Sequence, residues 1–253
     1  MPDLVIAVDI GSTRVHAGLV DTSKREPVCL FRTDFSLAEM NRRLPAAFSK
    51  LQINVPGIIA GGRKGYAKNA SRILKSCGVT SISGLRWLPP PNLPLRFRYD
   101  KPGTLGADRI ADALYAATVY PKRNVVIIDS GTAITVDAVN SAAEFLGGAI
   151  LAGIETQIRG LHAVTDTLPA IALPGKKIPF PGTSTGQCMQ VGTAYGTAGA
   201  LNHLVRKYRS LLGGNCIVLA TGGGWHVTSK LVDFKFIEVP DMTLLGTALY
   251  ALY

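Results

Sequence analysis

Short apolar runs closed by turn residues alternate along this chain with stretches whose apolar residues recur at helical spacing. LVIAVDIGST reads as a buried strand ending in Asp-x-Gly-Ser-Thr, RVHAGLVD as a second strand and PVCLFRTD as a third, with TSKRE as the turn between the last two. SLAEMNRRLPAAFSKL follows as a helix capped by Ser36, then a strand in INVPGIIAGG and a helix in YAKNASRILKSCG closed by Gly78. WLPPPNLPLRF is a stiff extended connector, since its prolines suit neither a helix nor a central strand. GADRIADALYAATVY is helical, with Ile110, Ala113, Leu114 and Ala117 on one face.

The pattern then begins again. NVVIIDSGT and AITVDAV form a second strand pair, and after the turn NSAAE the segment FLGGAILAG supplies a third strand. Placing Asp129 on Asp9, about 120 positions earlier, also places Gly131 on Gly11 and Thr135 on Val15, a period that suits a duplicated domain rather than a solenoid. A long helix over TAYGTAGALNHLVRKYRSLLGG is stopped by Gly213 and Gly214, strand CIVLATGGG follows, and MTLLGTALYALY is a final helix. Strands alternating with helices in two similar halves predict an α/β protein of two domains, 1–118 and 119–253, with a cleft between them.

Composition narrows the function classes. With 253 residues and 47% hydrophobic content the chain can bury two modest cores, and no apolar run is long enough for a membrane span. Asp3 stands where a signal peptide would carry basic residues, so a cytoplasmic protein is expected. The four cysteines lie far apart without metal-ligand spacing, as buried reduced thiols would. A net charge of +10 would permit nucleic-acid binding, but the Lys and Arg residues are scattered rather than striped with aromatics, and a basic surface equally suits a polyanionic small substrate.

The repeated turn carries the candidate chemistry. A strand ending in Asp-x-Gly-[Ser/Thr] presents a carboxylate at its tip and brings backbone N–H groups within reach of an anion. Asp9 and Asp129 cannot bind phosphate themselves, and their natural role is to hold a cation that bridges to it. The glycine run Ala220 to Gly224 would let backbone lie against a large ligand such as adenosine. No GxxxxGK[ST] sequence occurs, which excludes a P-loop. Asp108 stands at the start of a predicted helix, where it is equally an N-cap residue, with Arg109 a surface cation.

Two such turns, with DIGST, GADR, DSGTAITVD, LGGAILAG and TGGG in this order, resemble type III pantothenate kinases, within the actin-like (ribonuclease H-like) superfamily that includes sugar kinases. The resemblance implies two duplicated actin-like domains with an ATP cleft between them. It implies ATP binding by Asp9, Ile10, Gly11, Ser12, Thr13, Arg14, Val15 and His16, by Thr132, and by Gly222 and Gly223. It further implies a monovalent cation (K⁺ or NH₄⁺) at Asp129, Mg²⁺ held through water near Asp9, Asp108 as proton acceptor, and pantothenate around Tyr99, Gly106, Ala107, Asp108, Arg109 and Thr185. A homodimer whose subunits share the substrate site is implied as well. Four positions depart from the family pattern: Ser12 replaces an asparagine, Gly186-Gln187 replaces acidic residues, and Ala152 replaces a proline.

Rival readings rest on other residues. GTSTG, 182–186, fits the GxSxG elbow of hydrolases, yet the KKIPFP before it opposes the strand that an elbow needs. The four histidines show no HExxH or paired spacing. A non-catalytic ATP-binding regulator of the same fold, and a kinase for another small alcohol, are the remaining alternatives.

Overall fold

The computed structural model describes residues 3–49, 55–61, 64–85, 92–175 and 177–253; much of the expected proline-rich connector, residues 87–91, lies outside them. The chain forms two compact units, Met1–Arg123 with Ser141–Leu146 and Asp241–Tyr253, and Asn124–Asn140 with Gly147–Pro240.

In the first unit, β1 (Leu4–Ile10), β2 (Arg14–Asp21), β3 (Val28–Ser36), β4 (Gly57–Gly61) and β5 (Ile82–Gly84) make a sheet of order β3-β2-β1-β4-β5. β1, β2 and β3 are antiparallel neighbours, whereas β4 and β5 run parallel to β1. Alternation along the strands decides what each face meets. Ile6, Val8, Ile10, Val15, Ala17 and Leu19 share a buried cluster with Leu44 and Phe48 of α1 (Met40–Phe48) and Leu74 of α2 (Lys64–Ser76). Ser36 caps a short 3-10 turn ahead of α1, with the Glu39 carboxylate accepting from its N–H (3.1 Å) and hydroxyl (2.8 Å). A two-residue strand β6 (Arg96–Phe97) and helix α3 (Ala107–Val119) complete the first run of elements.

The second run repeats the first. β7 (Asn124–Ser130), β8 (Ala133–Val139), β9 (Glu144–Ala152), β10 (Cys216–Thr221) and β11 (Ile237–Glu238) take the order β9-β8-β7-β10-β11, the same sequence of neighbours, with β7/β8 antiparallel and β10, β11 parallel to β7. This is the duplicated ribonuclease H-like order of the actin-like fold, and the chain is α/β. β6 pairs with the start of β9 inside the first unit.

One detail of the duplication differs from the constant offset. Ile10 pairs with Val15 across a four-residue turn, but Ser130 pairs with Ile134 across three residues. The counterpart of Val15 is therefore Ile134, and Thr135 corresponds to His16. Val15 faces the apolar cluster, whereas Thr135 stands directly across from Asp129, so the alignment of Val15 with Thr135 is a one-residue slip onto the opposite face.

In the second unit, α4 (Ile154–Val164) packs Ile154 and Ile158 against Ala194 of α5 (Thr185–Leu211) and Val227 of α6 (Trp225–Thr228). Sequence periodicity did not indicate α4, and it started α5 eight residues late, at Thr193. The last helix, α7 (Met242–Leu249), returns to the first unit and lies on β1 and α3. Gly246 makes that approach possible, because a methyl there would overlap the Ala111 carbonyl. Among the described residues no helix is long and apolar enough to cross a membrane.

Candidate active site

Both strand-tip aspartates are seated in the same way. Asp9 is buried at the end of β1, and the neighbouring parallel strand ends beside it in Gly61, whose φ is +69°; a methyl on Gly61 would stand 2.6 Å from the Ile10 carbonyl and 3.4 Å from Asp9 Oδ1. Asp129 is met by Gly222 at the end of β10, with φ +93° and room for a methyl only 2.5 Å from Asp129 Oδ1 and from the Ser130 carbonyl. In each copy, then, a left-handed glycine lets the adjacent strand pass the strand tip, Gly61 clearing the Ile10 carbonyl and Gly222 clearing both the Asp129 carboxylate and the Ser130 carbonyl. Gly61 has no role in the sequence reading; the signal was AGG after a buried run, parallel to ATGGG. Gly224 also serves the protein itself, its N–H donating to the Ser130 carbonyl (2.8 Å), while Gly223 faces open space.

The turns beyond the aspartates are exposed at Gly11, Ser12, Thr13 and Arg14, and at Gly131 and Thr132. Gly11 N–H donates to Arg14 O and Gly131 N–H to Ala133 O, both at 2.9 Å. The Thr132 carbonyl accepts from Gly153 N–H (2.9 Å) and the Thr156 hydroxyl (2.6 Å), so the segment leading into α4 braces the second turn.

Asp9, His16 and Asp34 face one another in register across β1, β2 and β3. His16 Nδ1 lies 2.6 Å from Asp34 Oδ1, and Arg32 donates to both Asp34 oxygens and, at 2.6 Å, to Asp241 just before α7. Burial pushes the Asp34 carboxyl upward, but the hydrogen bonds from Arg32 and His16 outweigh it and hold the group below its usual value. Arg32 is raised in turn, first by its hydrogen bond to Asp34. Nearby Cys29 is pushed up to about 11, by burial and then by the charge of Asp241.

Helix α3 carries the residues expected on the acceptor side. Gly106, not Asp108, is its N-cap; Asp108 is the second helical residue, and its Oδ1 accepts from Arg109 N–H at 2.8 Å. The carboxylate folds back over Gly106, where a methyl would overlap Oδ1. Arg109 is no surface cation: it is 6% exposed, its guanidinium 5.8 Å from the Tyr99 ring centre and 5.5 Å from that of Phe145. Tyr99, Gly106, Ala107, Asp108 and Arg109 thus gather at one helix start.

Thr185 is the first residue of α5, after Ser184, whose hydroxyl accepts from Gln187 N–H. The chain before Ser184 is irregular back to Thr165 among the described residues, so the strand required by a hydrolase elbow is missing and the GTSTG reading falls.

The sequence model of the type III pantothenate kinase family matches residues 5–207. The chain belongs to this family. Type III pantothenate kinases of Porphyromonas gingivalis and Dehalococcoides mccartyi are similar to it, the first 33% identical over 71% of this chain and 72% of its own, the second 30% over 96% and 93%. A solved structure from Campylobacter jejuni, described as a conserved Baf family transcriptional activator of unproven role, has the same fold at TM-score 0.59 and 17% identity, over 98% of this chain and 97% of that one. The ethanolamine utilization protein EutJ of Carboxydothermus hydrogenoformans follows at TM-score 0.53 and 11% identity, over 99% and 89%. As a member of a kinase family the protein is a phosphotransferase that uses ATP and a divalent metal.

Proposed function

We propose that this chain transfers the γ-phosphoryl group of ATP to the primary hydroxyl of pantothenate, giving 4'-phosphopantothenate, the first step towards coenzyme A. The observation that carries this reading is the Asp108 carboxylate held over the Gly106 cap at the start of α3, beside the buried Arg109, in a chain of this family. Asp108 accepts the hydroxyl proton as the hydroxyl oxygen bonds to the γ-phosphorus and the bond to the β-phosphate oxygen breaks, releasing ADP. The exposed turn 11–14 with His16, together with Thr132, Gly222 and Gly223, receives the nucleotide.

Mg²⁺ bound with the nucleotide supplies charge neutralisation at the phosphate oxygens. The residues fit that role. Among the described residues no group of three or more His, Cys, Asp or Glu could hold an ion alone, and Mg²⁺ needs only one or two carboxylates with water and phosphate. Asp9, with the space left by Gly61, is the carboxylate assigned to it, and Asp129 is assigned to K⁺ or NH₄⁺. The sequence duplication divides at 118/119.

A homodimer completes the reading. The long α5 exposes Gly192, Tyr195, Gly196 and Gly199 along one face, and small residues there suit close packing of a second copy, with Thr185 at the end of the same helix. Four free cysteines agree with a cytoplasmic setting. The test is ADP release by purified protein with ATP, Mg²⁺ and K⁺, with and without pantothenate, and phosphopantothenate identified by mass. ATP binding without turnover, or turnover only on another alcohol, would replace this reading with a regulator or a different kinase.

A further inference from the structure

Phe145 has no role in the sequence reading beyond opening the strand FLGGAILAG. It is fully buried at the start of β9, where it pairs in register with Phe97 of β6, and its carbonyl accepts from Arg98 N–H at 2.9 Å. The Arg98–Glu144 ion pair, at 2.9 Å, ties the same two strands one rung earlier, where Glu144 stands opposite Arg96. Two residues beyond Phe97 the chain presents Tyr99, whose ring centre lies 6.0 Å from that of Phe145 at 59°. The Arg109 guanidinium stands over both rings. A planar cation flanked by two aromatic faces is attracted by both ring quadrupoles and loses its rotamer freedom before any ligand arrives. An ammonium would not stack in the same way, and only the guanidinium fork matches a carboxylate with two donors.

We propose that Phe145 is a positioning residue for the acceptor substrate, fixing Arg109 with Tyr99 so that the guanidinium meets the carboxylate end of pantothenate while Asp108, one residue earlier, serves the hydroxyl end. This rests on the pantothenate kinase reading above. It adds a specificity device contributed by β9, distant in sequence from the GADR segment.

The test is steady-state kinetics of Phe145→Leu, with Phe145→Met as a second variant of about the same volume whose flexible side chain fills the gap differently. Loss of one cation–π face predicts a KM for pantothenate raised roughly three- to thirty-fold, with the KM for ATP within about twofold because the nucleotide residues are untouched. In an Arg109→Lys background the same Phe145 change should add little, since the two act through one contact. An unmoved KM for pantothenate in a folded Phe145 variant, equal increases in both KM values, or full additivity with Arg109→Lys would each overturn the role of Phe145. Wild-type protein without pantothenate-dependent ADP release would overturn the reading beneath it as well, which separates the two failures.

Discussion

Gly106→Ala tests whether Asp108 is poised for chemistry or merely fills a helix start. The backbone at Gly106 has φ −62° and ψ 141°, which alanine adopts without strain. The added methyl meets the Asp108 side chain instead, overlapping Oδ1 and standing 3.4 Å from Cγ. To restore ordinary contact the carboxylate oxygen must retreat by about 1 Å, giving up its bond from Arg109 N–H, and a misplacement of that size can cost about 100-fold in rate. Folding should be affected far less, because exchanging Gly for Ala at an N-cap costs about 1 kcal/mol or less, which lowers Tm by only about 2–4 °C in a chain of this size. Coupled ADP release and a thermal melt on the same preparation separate the two effects. Turnover within threefold of wild type would refute the placement of Asp108, and a collapse in Tm accompanying the lost turnover would make Gly106 a folding residue.

Further substitutions probe other parts of the site. Asp108→Asn should fold normally and lower kcat by about two to four orders of magnitude, as for loss of a general base; near-normal kcat would sink the assignment. Asp129→Ala should remove the response to K⁺ along with most activity, and a potassium titration that still saturates in the variant would place the cation elsewhere. Asp34 has a lowered folded-state pKa, so it contributes stability that is full above its unfolded value of about 3.9 and is lost as pH falls through the lower folded value. Melts between about pH 5 and 2 should therefore show a steeper acid loss in wild type than in Asp34→Asn, and parallel profiles would count against the His16–Asp34–Arg32 bonds.

The strands of the duplicated core were readable as local apolar runs bounded by turn residues, β1 and β7 with an Asp-x-Gly stop in addition, and α3 because its apolar face and GADR start agree. Where a short-range signal existed but was weak, the reading slipped. Ser184 and Gln187 form an S-x-x-Q start for α5, masked by the prolines and glycines around it. α4 sets Ile154, Ile158 and Leu161 at helical spacing, but Gly160 lies inside it and the third of them is exposed in the fold. The two-residue strands β6 and β11 carry no period at all. The aspartate pair, GADR and the glycine run were legible as motifs, but the partners that seat them come from remote positions: Gly61 beside Asp9, Gly153 and Thr156 under Thr132, Phe145 against Arg109. Such contacts exist only once the sheets have set their registers.

The shorter turn of the second hairpin means that the two copies have ceased to be interchangeable parts. Across from Asp9 the first copy offers a histidine tied to Asp34, and across from Asp129 the second offers Thr135. A chimaera that exchanged only turn residues between the copies would rotate every following side chain of β2 or β8 to the wrong side of its sheet, so a transplant has to carry the whole hairpin. One residue of turn length thus decides that the first acid faces an imidazole bonded to Asp34 and the second faces a hydroxyl.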